Sequence, residues 1–345
     1  MKNMKWIVCS QIVLGLLFLF GKGSLVEAEG MGYSVRAVIP DNQVDKSQTY
    51  FDLKMVAGAT QELVLEIVST SDQPLELMVE PHVATTNQNG ELEYSVTPKT
   101  QDSTLLYPIT DLLSSKQSVT VPPKETKHVT FRLTMPKEAV TGRLVGGFSI
   151  YDKENEADGM SSGKDEVQIH NVFSVVIGIQ LREQETMIQP KLTLNGVKAG
   201  LFNYRTAVLV NLQNPQPDFL GNVEVVAQVK KKGSDKTLYE VEKKGIAFAP
   251  NSNFDFPISL ENQELQPGSY ELSLKATSGE ASWLLTKKFR ITRDEATEFN
   301  EEAVELEKTV NKGGMILMVS LISVFIIIFL LTVGYIVTQQ RERRR

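Results

Sequence analysis

The strongest constraint on this chain is a charge-free run near its C-terminus. Residues 313–340 carry no charged side chain, and the 23 residues of 315–337 are almost wholly apolar. At about 1.5 Å per residue, a helix of this length reaches roughly 34 Å, which is enough to cross a hydrocarbon core of about 30 Å. A basic cluster follows at once and predicts a cytoplasmic C-terminus. We therefore predict one transmembrane helix at 315–337 and a cytoplasmic tail at 338–345.

The N-terminus has the composition of a secretory signal peptide. A basic head at 1–5 precedes an apolar run at 6–20, and a small-x-small triplet at 26–28 suits signal peptidase. An uncleaved anchor is the alternative, although the apolar run is short for a full span. The only cysteine, Cys9, lies inside the predicted signal peptide (1–28), so the exported chain has neither disulfide nor thiolate chemistry.

Between its two ends, the sequence alternates between strand patterns and turn residues. Residues 60–70 place apolar side chains on one face and glutamates on the other, which is the period of a half-buried strand. Asn89-Gly90 separates two strand-like runs and predicts a β-hairpin. Seven or eight such strands in the first half, and a second set of strands from Lys191 onward, favour an all-β protein. We predict two immunoglobulin-like antiparallel β-sandwich domains, at 29–151 and 167–293.

The segments around these domains are less regular. Residues 152–166 are charged and predict an exposed, mobile loop. The strand at 167–181 is expected to pair with 144–151, and its pattern leaves open whether it completes the first domain or opens the second. A capping box at Thr292 and Glu295 predicts an acidic helical stalk at 294–312, with a disordered linker as the alternative.

The charge of the chain excludes some partners. The total is −6, and subtracting +2 for residues 1–28 and +3 for residues 341–345 leaves −11 for residues 29–340. An ectodomain this acidic lacks the basic footprint that nucleic acid requires. It would also be repelled by an anionic membrane surface, so a basic protein partner is favoured over an acidic one.

The residues that could carry chemistry are scattered. His82, His128 and His170 have no second histidine or cysteine at ligand spacing, so ordinary structural roles are favoured over metal binding. Asp41, Asn42 and Asp45 could supply calcium oxygens, but a turn before a strand fits their spacing better. We predict no catalytic residue, no cofactor and no metal site.

Binding residues can be proposed on weaker grounds. Tyr94 and Tyr107 lie in or near loops of the first domain and could contact a sugar, although packing on the sandwich rim is the alternative. Gly146 and Gly147 empty both faces of one strand at the same level, which favours a β-bulge over a docking groove. In the second domain, several aromatic residues cluster near predicted turns. They could belong to the core, to the rim or to an apolar docking patch: Phe202, Tyr204, Phe219, Phe254 and Phe256.

Four segments, in this order, resemble the WxL-interacting protein family of Gram-positive surface proteins. They begin at YSVRAVIPDNQ, ATTNQNGELEYS, LLYPITDLL and MPKEAVTGRLVGGFSI. The resemblance implies a first domain that binds peptidoglycan and a second domain that binds host extracellular proteins. It also implies a WxL-domain surface protein as a partner, and it supplies no catalytic residue.

Three functions are compatible with these patterns. The first is a non-enzymatic, membrane-anchored cell-surface adaptor that binds peptidoglycan and WxL-domain proteins. The second is a cell-wall glycan hydrolase that uses two carboxylates, although the sequence singles out no pair. The third is a chaperone-like sandwich that exchanges a strand with a surface protein.

Overall fold

Two β-sandwiches in series make up most of the protein. The computed structural model describes residues 31–98, 100–153, 173–306, 320–328 and 331–334. The strands of the first half are β1 (Tyr33–Val38), β2 (Phe51–Lys54), β3 (Thr60–Ser69), β4 (Leu75–Val83), β5 (Thr85–Thr86), β6 (Leu92–Glu93), β7 (Gln117–Val121), β8 (Thr126–Thr134), β9 (Leu144–Asp152) and β10 (Ser174–Arg182). Those of the second half are β11 (Thr193–Phe202), β12 (Arg205–Asn214), β13 (Leu220–Lys231), β14 (Thr237–Phe248), β15 (Ser252–Ser259), β16 (Gly268–Ser278) and β17 (Ala281–Ile291). Two helices are α1 (Ile109–Leu112) and α2 (Arg293–Glu302).

The first sandwich packs a three-stranded sheet, β1-β3-β8, on a five-stranded sheet, β2-β10-β9-β4-β7. Alternating apolar side chains from both sheets meet in one core, because successive residues of a strand face opposite sides. Phe131 from one sheet and Phe148 from the other are fully buried with ring centroids 4.5 Å apart. The alternation at 60–70 is confirmed, since Leu63, Leu65 and Ile67 are all in this core.

Strand β10 belongs to the first sandwich, which settles the domain assignment that the sequence left open. It pairs antiparallel with β9, as expected, and parallel with β2 on its other side. Of the two alternatives for the strand at 167–181, this pairing supports the one in which the strand completes the first domain, and the second sandwich begins after β10. The parallel β2–β10 pair also makes this sheet mixed rather than purely antiparallel. Such a pairing depends on chain segments far apart in the sequence, which local periodicity does not report.

The second sandwich packs β11-β12-β15 on β14-β13-β16-β17, and all of its pairs are antiparallel. Its core takes Phe254 and Phe256 from one sheet and Phe248 and Phe289 from the other. The aromatic cluster predicted near turns is therefore partly core. Tyr204, at the β11–β12 turn, is instead 74% exposed.

Helix α2 follows the last strand directly. The predicted capping box is confirmed: Thr292 Oγ1 accepts from the Glu295 amide at 3.2 Å, and Glu295 Oε2 accepts from the Thr292 amide at 2.8 Å. Ala296 is buried in the second core, and the Asn300 side chain bonds both backbone groups of Leu265. Residues 293–302 therefore pack on the sandwich rather than project from it as a stalk.

Several expected segments lie wholly or partly outside the described residues. The signal peptide (1–28), the loop at 152–166 from residue 154 onward, the stalk after 306 and the tail at 338–345 belong to this group. Within the described part of the chain, no helix is both long enough and apolar enough to span a bilayer. Residues 320–328 and 331–334, inside the predicted span, are helical.

The two sandwiches contact each other through side chains and backbone. The β5–β6 hairpin of the first domain reaches the second, where Ala247 donates its amide to the Gly90 carbonyl at 2.8 Å. On the other side of the contact, Asp102 accepts from Gln213 Nε2 at 2.9 Å, and Arg143 Nε pairs with Asp218 at 2.9 Å. The predicted Asn-Gly hairpin is confirmed, with Gly90 at φ +75°.

Gly146 and Gly147 do not form a bulge. Strand β9 keeps an unbroken register with both neighbours through these positions. A Cβ on Gly146 would lie 2.3 Å from the His82 carbonyl oxygen and 2.3 Å from Ile109 Cγ2. Glycine occupies this position because the His82 backbone and Ile109 of α1 lie too close to the strand to leave room for a side chain.

We expect Gly146→Ala to lower the free energy of unfolding by about 1–3 kcal/mol, because backbone atoms that cannot rotate away must shift. The matched control is Gly178→Ala on the neighbouring strand, where a Cβ would meet Tyr50 Cβ at an ordinary 3.6 Å. Urea unfolding of both variants measures the difference. Equal midpoints would contradict the close approach at Gly146.

Candidate functional site

A row of four residues crosses the outer face of the five-stranded sheet at one level. His82 on β4 pairs with Gly147 on β9, and Gly147 pairs with Gly178 on β10. Tyr50, directly before β2, packs next to Gly178. Two adjacent glycines leave no side chains in the middle of this row, so the sheet surface forms a trough between His82 and Tyr50.

Tyr94 covers one half of the trough. A Cβ on Gly147 would lie 3.1 Å from Tyr94 Cβ, which is tighter than ordinary contact. Burial raises the pKa of Tyr94, and the neighbouring Tyr50 raises it further. The Tyr94 phenol therefore stays neutral near neutral pH and can donate or accept a hydrogen bond. Of the predicted binding residues, the structure brings Tyr94, Gly146 and Gly147 together.

The side of this row at Tyr50 and Gly178 lines a cleft between the two domains, which has a volume of about 540 Å³. This size is typical of small-molecule sites, which span roughly 300–1,000 Å³. The second domain contributes Phe219, Gly221 and Ala247 to one wall. None of the described residues that line the cleft is charged, and the polar side chains among them are Thr49, Gln180 and the two tyrosines.

Charged groups near the floor of the cleft are already paired. Arg182 lies two residues beyond Gln180 on β10 and is 6% exposed. Its guanidinium donates to Asp52 and to Glu185. Gln180 Nε2 donates to the same Asp52 carboxylate at 2.8 Å. Arg182 is therefore a structural cation under the loop at 43–50, and it is not available to a ligand.

His82 closes the other end of the trough and is 5% exposed. Its Nδ1 lies 3.0 Å from Thr97 Oγ1, whereas Nε2 is buried without a hydrogen-bond partner among the described residues. Burial lowers the pKa of His82; Glu80 and Glu93 oppose this, and Lys116 adds to it. The imidazole is thus held neutral, as a structural histidine would be.

The remaining predicted residues lie elsewhere. Tyr107 packs against the first core and lines a second cavity of about 310 Å³, with Pro217 and Asn251 of the second domain. Asp45 accepts from the Ser47 amide at 2.9 Å, and Asn42 donates to the Lys54 carbonyl at 3.1 Å, so both stabilise a turn. No group of His, Cys, Asp or Glu among the described residues is arranged to hold a metal ion. His128 is exposed beside Glu66, and His170 lies outside the described residues.

Sequence reasoning missed two residues of the cleft, Tyr50 and Gly178. Gly178 could have been found, because it is a lone glycine in an apolar strand already expected to pair with β9. Phe219 was among the aromatic residues proposed as core, rim or a docking patch, and the docking of the two domains brings it to the cleft.

Two family models match the chain. Residues 33–152 match one described as "WxL Interacting Protein, peptidoglycan binding domain", and residues 164–301 match "WxL Interacting Protein, host binding domain".

The chain belongs to the WxL-interacting protein family.

The second match of this WxL-interacting protein starts at 164, so it includes β10, which is structurally part of the first sandwich. A search of the curated proteins gave no match.

Solved structures similar to this WxL-interacting protein share little sequence with it. The class 5 fimbriae chaperone CfaA is 14% identical, with a TM-score of 0.27 over 74% of this chain and 99% of that chain. The ASH/PapD-like domain of human CEP192 is 10% identical, with a TM-score of 0.25 over 46% and 88%. A family 123 glycoside hydrolase from Clostridium perfringens is 7% identical, with a TM-score of 0.23 over 45% and 28%. At these values none of them bears on function.

The pKa of His82 predicts a specific pH dependence. Its folded-state pKa lies below the unfolded value, so its contribution to stability is full above about pH 6.5 and is lost as pH falls toward the folded pKa. We expect His82→Gln to remove this component. The urea midpoint should therefore fall less between about pH 7.5 and about pH 5 in the variant than in the wild type. An equal fall in both proteins would contradict burial of a neutral imidazole.

Proposed function

We propose that this protein is a non-enzymatic, membrane-anchored cell-surface adaptor. Its first domain binds peptidoglycan in the cleft at Tyr94 and Gly146, and its second domain contacts host extracellular proteins. The protein also binds WxL-domain proteins. The observation that carries the proposal is an uncharged cleft with two tyrosines, Tyr50 and Tyr94, which both lie within the residues that match a peptidoglycan-binding model. Tyrosine rings offer flat apolar faces together with a polar hydroxyl, which suits sugar rings.

The cleft favours binding over hydrolysis. Glycosidases commonly place two carboxylates about 5–9.5 Å apart across the scissile bond. No aspartate or glutamate is among the described residues that line the cleft. Asp52, which bonds the lining residue Gln180, is also held by Arg182. A glycan in this cleft would meet rings, amides and hydroxyls but no acid and base pair.

The membrane anchor in this proposal is the apolar segment 315–337. Two parts of it are helical, and the apolar side chains between Leu321 and Ile328 are each half or more exposed. Neither sandwich covers these side chains. A helix with uncovered apolar side chains all round fits a lipid environment, where they need no protein partner.

The peptidoglycan proposal predicts a loss of binding in Tyr94→Ala. The measurement is sedimentation of the ectodomain (residues 29–310) with purified peptidoglycan. We expect the variant to bind with an affinity about fivefold to tenfold weaker than that of the wild type, because one stacking face is removed. Tyr204→Ala is the control, since Tyr204 is exposed at a distant turn. A thermal melt of each variant checks folding. Equal sedimentation of the wild type and both variants would overturn the assignment of the cleft.

The anchor predicts that the full chain stays with the membrane after extraction with alkaline carbonate. A chain ending at residue 312 lacks the apolar segment and is expected in the soluble fraction. Immunoblots of pellet and supernatant from cells producing either form measure this. Release of the full chain by carbonate would contradict a transmembrane anchor.

A further inference from the structure

We propose that the cleft takes the neutral, N-acetylated glycan strand of the wall rather than its charged peptides or polymers, and that the second domain completes the site. This rests on the proposed function and names the part of peptidoglycan that is recognised. The peptide stems of peptidoglycan carry carboxylates and amines, whereas N-acetylhexosamine units carry no charge.

Charge decides between the two parts of the wall. A carboxylate or phosphate that enters the cleft would lose hydration, and such a loss is compensated only by a nearby opposite charge. No lysine or arginine is among the described residues that line the cleft, and Arg182 is committed to Asp52 and Glu185. The binding free energy of an anionic ligand would therefore be unfavourable, and an ammonium group would meet no free carboxylate among the described residues of the lining.

The shape and chemistry of the cleft suit an acetamido sugar. The floor of the cleft at Gly178 has room for a small apolar group such as an acetyl methyl, because a Cβ there would make only ordinary contact with Tyr50. The rings of Tyr50 and Tyr94 stand beside that floor and can stack on the C–H face of a sugar. Gln180 and the two phenol hydroxyls line the same space and can bond the amide and hydroxyl groups of the ligand.

The second domain is held so that its wall faces this floor. Thr86 Oγ1 on the hairpin accepts from the Ala249 amide at 3.0 Å, and Arg143 donates its amide to the Pro217 carbonyl at 2.8 Å. These contacts flank the segment with Phe219 and Gly221. Val145 of the first domain, Ala249 of the second, and Phe219 pack in one small cluster that spans the joint. A ligand in the cleft thus contacts both domains, and the first domain alone presents an incomplete site.

Calorimetric titration of the full chain in detergent tests the ligand class. The probes are a β-1,4-linked N-acetylglucosamine tetramer, the matching glucose tetramer and a synthetic stem pentapeptide. We expect the acetylated tetramer to bind at least about tenfold more tightly than the glucose tetramer, because only the former carries acetamido groups. The stem pentapeptide is expected to show no binding.

Two variants in the second domain test its contribution. Phe219→Ala removes an aromatic wall, and we expect the affinity for the acetylated tetramer to fall about tenfold. Gly221→Trp adds a side chain where a Cβ meets no atom within 4 Å, so it should narrow the cleft without disturbing the core. Leu238→Ala is the control, because this residue is partly exposed at the far end of β14. Thermal melts check that all three fold.

The outcomes separate this inference from the proposed function. Sedimentation with whole peptidoglycan but preference for the stem pentapeptide or the glucose tetramer would overturn the glycan assignment and leave peptidoglycan binding intact. Wild-type affinity in both Phe219→Ala and Gly221→Trp would overturn the role of the second domain. If the protein bound neither peptidoglycan nor the acetylated tetramer, both proposals would be overturned.

Discussion

The paired glycines at the centre of the five-stranded sheet are the constraint on which the rest of the first domain depends. Strand β9 is buried on both faces from Leu144 to Ile150, so any side chain there must compete with another segment for space. On the core side, Gly146 leaves that space to Ile109 and the His82 carbonyl. On the outer side, Gly147 leaves it to Tyr94, and Gly178 faces Tyr50. The absence of side chains at these glycines thus lets α1 pack against the sheet and leaves the trough open on the other face.

The trough becomes a cleft only because the second domain is docked beside it. The joint combines a buried apolar cluster with hydrogen bonds from the β5–β6 hairpin and a polar contact at Asp102. Gly142 belongs to the same joint, because a Cβ there would meet the Pro217 carbonyl oxygen at 2.2 Å. Its positive φ of +80° supplies the turn into β9, while its missing side chain admits the second domain.

Sequence patterns correctly predicted the features that depend on residues close together in the chain. The alternation at 60–70, the Asn89-Gly90 hairpin and the capping box of α2 each depend on residues within a few positions of one another, and each is confirmed. The parallel pairing of β2 with β10 brings together segments separated by most of the first domain, so no local pattern reports it. The cleft was recovered only in part for the same reason. Tyr94 and the glycines stood out as unusual residues, whereas Phe219 gained its place through domain docking.

The charge of the ectodomain bears on how it could hold the cell wall. Residues 29–340 carry a net charge of −11, and carboxylate-bearing wall components are themselves anionic. Long-range electrostatics therefore opposes the encounter, and attraction has to come from short-range contacts. An uncharged cleft with stacking rings provides contacts of this kind, which change little with ionic strength. On the proposed topology, the 12 residues between α2 and the anchor (303–314) reach at most about 40 Å. The second domain then stays close to the membrane, and the first domain with its cleft is the part free to meet the wall.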